Sequence, residues 1–511
     1  VRLRVLFLFL GVLILTAFLM PQFSAAADDG DSKISKEEVP QIVKIFVKDK
    51  FDVAKLANMG LDLPEVKHKH KYVISVITAS ELKKVSSLGY KYKVINSDAD
   101  SVLRATRAGT LSKYRTFDQI EKILKDAEVN NPAICKLHVI GKSFEGRPIY
   151  ALNITPRAAG AKKPAVLIMG LTHAREWISA EVPTALIEEI LQKYPADKTI
   201  KELVDNRSIW VVPVANPDGL VYSQTKSKMW RKNRRANSDK SFGVDLNRNY
   251  GYQWGTVGAS TYPGSDTYHG VSPFSEPCST AIKQLAEREK FRATVSFHSY
   301  SELVLFPFGY AYDAIAKDNQ LLAELAKEMA KFSGYTPEKS SDLYPAMGDS
   351  DDWFYGAMGA LAFTIELGSQ FVPNDNQVDK INADNIKSCL YLIEKAGSVH
   401  ASNHPDFASK VQRAISTFVF YSATSDARAN TSKIELINIL NPANDNDGKV
   451  FDEFIREVEK SDLNSKKILA PVLREVKDMY TQNIINKLGN TRQVIRDIEK
   501  LQIELEKVEE K

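Results

Sequence analysis

Pro164-Ala165-Val166-Leu167-Ile168-Met169-Gly170-Leu171-Thr172-His173-Ala174-Arg175-Glu176-Trp177 is the stretch on which the reading of this chain turns. Its first six residues are continuously apolar, the pattern of a strand buried on both faces in a parallel or mixed sheet. The run stops at Gly170, and a His-x-x-Glu pair follows at His173 and Glu176. Open α/β sheets carry their chemistry in the crevice where strands end. An imidazole and a carboxylate at such an end can turn toward one point, as two of the three protein ligands of a catalytic zinc site that keeps its fourth position open. The pair alone is a common accident of sequence. The rest of the chain therefore has to supply a third ligand.

Outward from this stretch, short apolar strands recur at 209–214, 293–297 and 362–365, separated by helical patterns such as 180–193 and 321–332. Strands alternating with helices give an α/β domain with a mostly parallel or mixed sheet, over about residues 114–398. The best third ligand is His298 in Ser296-Phe297-His298-Ser299-Tyr300, directly after a strand and so at the same sheet edge. His138 and His269 stand without a neighbouring motif, and His400 and His404 fall beyond the domain.

Five segments in order resemble the zinc metallocarboxypeptidases of the carboxypeptidase A, B and T type. They are Thr172–Trp177, Trp230-Arg231-Lys232-Asn233-Arg234, Val244-Asp245-Leu246-Asn247-Arg248-Asn249, Ser296–Ser301 and Phe363-Thr364-Ile365-Glu366-Leu367. The resemblance implies a central mixed eight-stranded sheet flanked by helices, one zinc ion on His173, Glu176 and His298, and removal of single C-terminal amino acids from peptides. It further implies Glu366 as the general base toward water and Arg234 as the group that stabilises the oxyanion. Asn247 and Arg248 are expected to grip the substrate's terminal carboxylate, with Tyr344 closing over it and Arg175 binding it further in. Arg231 is read equally as a salt-bridge residue or a substrate contact. Asp351 is expected at the floor of the side-chain pocket, where an acid resembles the basic-preferring B type; T-type relatives with an acid there leave broad specificity open. The competing reading of Asp351 is a helix cap. Two other functions share the scaffold: a cell-wall peptide hydrolase, which Asn247-Arg248 argue against, and a catalytically silent peptide-binding module.

Flanking segments organise the rest of the 511 residues. Arg2 and Arg4, an apolar run from Val5 to Met20, and Ser24-Ala25-Ala26-Ala27 have the order of a secretory signal peptide, so residues 1–27 are expected to be removed from a secreted or periplasmic protein. Val1 in place of Met suits an alternative bacterial start codon. Residues 28–107 read as an α+β propeptide and linker, with strands at 42–47, 72–77 and 90–95, helices at 53–59 and 80–88, and Arg104 and Arg107 open to an activating protease. The catalytic domain is expected over 108–400 and an all-α region of unknown role over 405–511, where Phe451, Phe454, Ile455 and Val458 form a helical stripe. Asp445-Asn446-Asp447-Gly448 resembles part of a calcium loop, but the ligand positions at Ala443 and Phe454 favour a polar turn. Three cysteines allow at most one bridge. A net charge of +4 without a basic block gives no nucleic-acid surface, and no stable membrane anchor is expected.

Overall fold

The computed structural model describes residues 39–101, 113–157, 163–399 and 401, with 415, 418, 422, 429, 433, 436, 467–472, 474 and 475 of the C-terminal region. The expected signal peptide, Arg104 and Arg107, and the calcium-like turn at 445–448 lie outside the described residues. Among the described residues no helix is long and apolar enough to cross a membrane. All three cysteines are buried and unbridged.

The N-terminal module is a four-stranded antiparallel sheet, β1 (Gln41–Phe46), β2 (Asp62–Lys67), β3 (Tyr72–Ile77) and β4 (Tyr92–Asn96), in the order β2-β3-β1-β4. Helices Lys50–Asn58 and Ala79–Ser87 connect its strands. The second helix opens with a full capping box between Thr78 and Glu81. β2 has no alternation of apolar residues and contains Pro64, so its sequence does not read as a strand. It forms because it is an edge strand, where a missing N–H is tolerated, and because Leu63 and Val66 reach the core. That core also takes in Leu305 and Leu343 from the second module, so the two modules share apolar packing.

The larger module is built on an eight-stranded mixed sheet in the order β11-β10-β12-β9-β7-β8-β6-β5. Its strands are β5 (Cys135–Lys142), β6 (Pro148–Ile154), β7 (Ala165–Met169), β8 (Ser208–Val212), β9 (Ala293–His298), β10 (Leu303–Phe306), β11 (Thr336–Lys339) and β12 (Leu361–Glu366). The central four, β12-β9-β7-β8, run parallel. Every residue of β7 and β9 is buried, and β7 reads as an unbroken apolar run. β6 and β10 join antiparallel on either side. Helices Ile178–Lys193 and Asn319–Ser333 both pack on helix Asp375–Lys395, and helices Phe117–Asn130 and Pro277–Glu289 pack against β5.

Register sets the site. Met169 pairs with Ser296, and His298 pairs with Glu366, so β7, β9 and β12 all deliver their C-terminal ends to one edge. In the C-terminal region Ile415, Phe418, Leu436, Leu469 and Val472 are buried in helical segments, and Lys433 pairs with Glu475 at 2.7 Å.

Candidate metal centre and active site

The chain leaves β7 through a turn that only glycine permits at Gly170: a Cβ there would lie 1.9 Å from the Ser179 carbonyl oxygen. This close approach folds the 171–177 segment back onto the start of helix Ile178–Lys193. Ser179 fixes it, its Oγ accepting from Leu171 N (3.0 Å) and donating to Glu176 O (2.6 Å). Asn216 Nδ2 holds Thr172 O, and Ala174 N donates to Arg231 O, tying in the 228–234 segment.

His173 and Glu176 thereby converge on His298 at the end of β9. His173 Nδ1 lies 2.8 Å from Glu176 Oε1 and 3.1 Å from His298 Nδ1, and His298 Nδ1 lies 3.1 Å from Glu176 Oε2. All three side chains are buried. His173 Nε2 meets Asp245 Oδ1 at 3.1 Å; a carboxylate accepts only, so it takes the Nε2 hydrogen and turns Nδ1 inward as the nitrogen that would bind a metal. His298 Nε2 has Ser296 Oγ as its second partner at 3.1 Å. Two inward nitrogens and a carboxylate, each oriented by a group behind it, form a donor set that fits zinc. Burial opposes the charge of Glu176, yet His173 and His298 hold its carboxyl far below the usual carboxylate range.

Glu366 stands beside His298 on the neighbouring strand, and its Oε2 is sealed from solvent with no hydrogen-bond partner. Burial and the nearby Glu176 carboxylate push its proton affinity well up, against the pull of Arg231 and Arg175. A half-buried carboxylate with an uncommitted oxygen next to the donor set suits a group that exchanges a proton with water.

Three arginines stand at this centre: Arg175 and Arg248, expected as substrate contacts, and Arg231, read equally as a salt-bridge residue or a substrate contact. Arg231 is buried, with Nη2 2.8 Å from Asp245 Oδ2 and Nη1 3.9 Å from Glu176 Oε1. Arg175 is fully buried against the Phe371 ring at 4.2 Å. Arg248 directs Nη2 toward the Tyr344 hydroxyl at 3.3 Å, held by Gly258 O and Asn247 O, both at 2.8 Å. Arg234, expected at the oxyanion, is held by aromatic rings. Its guanidinium sits 3.6 Å from the Tyr222 ring centre, with Trp230 and Phe242 at 4.7 and 4.6 Å, and its Nε is 3.9 Å from Glu145. Aromatic faces attract the flat Arg234 cation, while Asp245 holds Arg231 beside Glu176.

Asn247 Oδ1 accepts from Ser350 N at 3.0 Å, which joins the Asn247-Arg248 pair to the start of helix Ser350–Gly356. Asp349, not Asp351, caps that helix, its Oδ1 accepting from Asp352 N at 2.8 Å. Asp351 is buried and accepts from Ser340 Oγ at 2.8 Å.

The N-terminal module also reaches the centre. Asp62, at the start of β2, is buried between arginines, with Oδ2 bonded to Arg175 Nη2 and Oδ1 3.5 Å from Arg231 Nη1. The chain on either side of it is pinned to the larger module: Gly60 O accepts from Ser265 Oγ and Thr267 Oγ1, both at 3.0 Å, and Pro64 O accepts from Ser301 Oγ at 2.9 Å. No motif marks Asp62 in the sequence. Asp245 could have been found, since it precedes Asn247-Arg248 in the motif already singled out.

Residues 120–388 match the model of the family described as zinc carboxypeptidase. This chain belongs to the zinc carboxypeptidase family. Carboxypeptidase B of Homo sapiens is 35% identical over 307 residues, covering 57% of this chain and 73% of the relative. Carboxypeptidase A2 of Mus musculus is 34% identical over 262 residues, 50% of this chain and 62% of the relative. The crystal structure of thrombin activatable fibrinolysis inhibitor superposes with a TM-score of 0.60 at 26% identity, over 70% of this chain and 99% of that one. As a zinc carboxypeptidase the chain is a metallohydrolase acting on peptide C-termini, and its mixed eight-stranded sheet is the architecture these structures share.

Proposed function

We propose that this zinc carboxypeptidase is an exopeptidase that releases single C-terminal residues, basic or broad in its preference, and is made as an exported, self-inhibited precursor. The observation that carries the reading is the convergence of His173, Glu176, His298, Glu366 and Arg231 at one sheet edge, with the Asn247-Arg248 pair beside them. Bound by His173, Glu176 and His298, zinc would acidify a water and polarise the scissile carbonyl. Glu366 accepts the proton of the attacking water and returns it to the leaving amine, a contribution of about 10²–10⁴-fold. Arg231, rather than Arg234, faces the developing oxyanion, because it is the guanidinium that lies against the metal donors. Asn247 and Arg248 hold the terminal carboxylate by charge-assisted hydrogen bonds, Tyr344 closes over the substrate from beside Arg248, and Arg175 binds it further along. An internal peptide bond offers no carboxylate to that grip. Asp351 forms the floor of the side-chain pocket and favours a cationic residue there.

Residues 1–27 direct export, and residues 28–107 act as the inhibitory segment, with Asp62 occupying the two arginines that substrate would use. Just after the linker, Arg115 N donates to Glu181 at 2.7 Å and Tyr114 bonds Pro373 O, so a cut near Arg104 or Arg107 frees the first module while leaving the second anchored. The test of the exopeptidase reading compares one peptide as free acid and as C-terminal amide. Removing the charge that Arg248 meets costs about 1.5–3 kcal/mol, so the amide should be cleaved about 10- to 150-fold more slowly. Equal rates, or release of internal fragments, would overturn it.

A further inference from the structure

Arg175 is fully buried, and among the described residues it forms ion pairs with two carboxylates that come from different modules. Asp62 of the first module bonds Nη2 directly. Asp266 of the second module lies 3.8 Å from Nη1, beyond hydrogen-bond reach, and its side chain is 36% exposed. Arg175 Nη1 and Nε have no hydrogen-bond partner among the described residues, so part of a buried guanidinium fork is unsatisfied while Asp62 is in place.

The loop around Asp266 holds it where it meets both partners. Asp266 stands between Ser265 and Thr267, whose hydroxyls grip Gly60 O, two residues before Asp62. Lys232 Nζ fixes the same loop by donating to Pro263 O at 2.7 Å. Partial burial and the Asp62 carboxylate raise the proton affinity of Asp266 against the pull of Arg175, so the two acids repel across the interface that the loop closes. Arg231, the other guanidinium facing Asp62, keeps a counter-ion of its own in Asp245 at 2.8 Å. Of the two carboxylates paired with Arg175, Asp266 alone belongs to the second module.

We propose that Asp266 is the counter-ion that Arg175 exchanges for Asp62, so that this partly exposed acid sets how readily the cleaved first module is shed. The inference rests on the reading of residues 28–107 as a segment that leaves after cleavage. In the joined state Asp266 opposes Asp62 by like charge. In the parted state a side-chain rotation closes the gap of about 1 Å to Nη1, and a buried guanidinium is not left uncompensated. Both effects favour departure.

The test uses full-length protein cleaved in the 102–112 linker and left undivided. Dissociation of the first module is followed by sedimentation across a dilution series, with peptide hydrolysis measured on the same samples. Asp266→Asn keeps the size of the side chain and removes its charge, and Asp266→Ser removes the charge with a smaller group. Both variants should retain the module about tenfold more tightly than wild type, the lower end for one charge-assisted hydrogen bond because Asp266 is partly in water. In an Asp62→Asn background Asp266→Asn should change retention by less than about threefold, because the ion to be exchanged is gone. Retention that is unchanged or weaker in both single variants would overturn the inference. A shift of equal size in the Asp62→Asn background would overturn it too, tracing the effect to Glu81, whose proton affinity burial and Asp266 also raise. Dissociation without any gain in hydrolysis would instead overturn the inhibitory reading of the first module and leave the ion exchange standing.

Discussion

Replacing Asp62 by asparagine isolates the charge that joins the first module to the active site. The side chain keeps its size, and an amide oxygen can still accept from one arginine, but the counter-charge to two buried guanidiniums is gone. At 3.5 Å between Asp62 Oδ1 and Arg231 Nη1 the direct attraction is about 5 kcal/mol at an effective dielectric constant of about 20. Most of that is offset by desolvating the charges. A net charge-assisted hydrogen bond is worth about 1.5–3 kcal/mol, or about 10- to 150-fold in an inhibition constant. The assay starts from full-length protein cleaved in the 102–112 linker and left undivided, so that the first module remains as a dissociable inhibitor. Hydrolysis of a short peptide is then followed across a dilution series. The asparagine variant should recover full activity at a protein concentration at least about tenfold higher than wild type does. The main-chain anchors at Gly60 and Pro64 persist in the variant and keep some inhibition in place. If wild type and variant dissociate at the same concentration, Asp62 contributes shape alone and the electrostatic account of inhibition fails.

Other outcomes follow from the same geometry. Glu366→Gln should retain zinc and bind peptide while losing at least about 10²-fold in kcat, because an amide cannot take up the water proton; near-normal turnover would remove Glu366 from the mechanism. Arg231→Met should lower kcat about 10²–10³-fold, as loss of an oxyanion donor does, while Arg234→Met should stay within about threefold of wild type. The reverse order would restore Arg234 to the site. Burial, with Asp351 and Asp352 beside it, raises the Asp349 proton affinity well above that of an ordinary carboxyl. The folded state then binds this proton more tightly than the unfolded chain, so stability falls as pH rises through the folded value. Asp349→Asn should accordingly raise the melting temperature at pH 7.5 and lose that gain near about pH 4, where the unfolded carboxyl is also protonated. A gain independent of pH would point to packing instead.

How much of this was legible before any coordinates depends on how local the physics is. Strands buried on both faces announce themselves as short, mostly apolar runs, and 164–169, 209–214, 293–297 and 362–365 in the sequence fall on β7, β8, β9 and β12. β2 did not announce itself, because an edge strand with Pro64 is held by its neighbours rather than by its own pattern. The His-x-x-Glu pair was legible because both groups leave one strand end within a single turn.

The sequence by itself determined the residue types of the metal donors, their positions at strand ends and the α/β character of the domain, since each of these follows from composition within a few residues. Tertiary structure alone decided which partners hold each arginine. Trp230-Arg231-Lys232-Asn233-Arg234 carries three cations in an irregular segment, and no period tells inward from outward there. The choice falls to Asp245, which pairs with Arg231 from 14 residues away, and to the rings of Tyr222, Trp230 and Phe242, which hold Arg234. The same holds for Asp62, 113 residues before the Arg175 it meets, and for Asp349 beside Asp351 and Gly309. Charge pairing in a folded protein is fixed by which groups are buried together, and burial is a property of the whole fold.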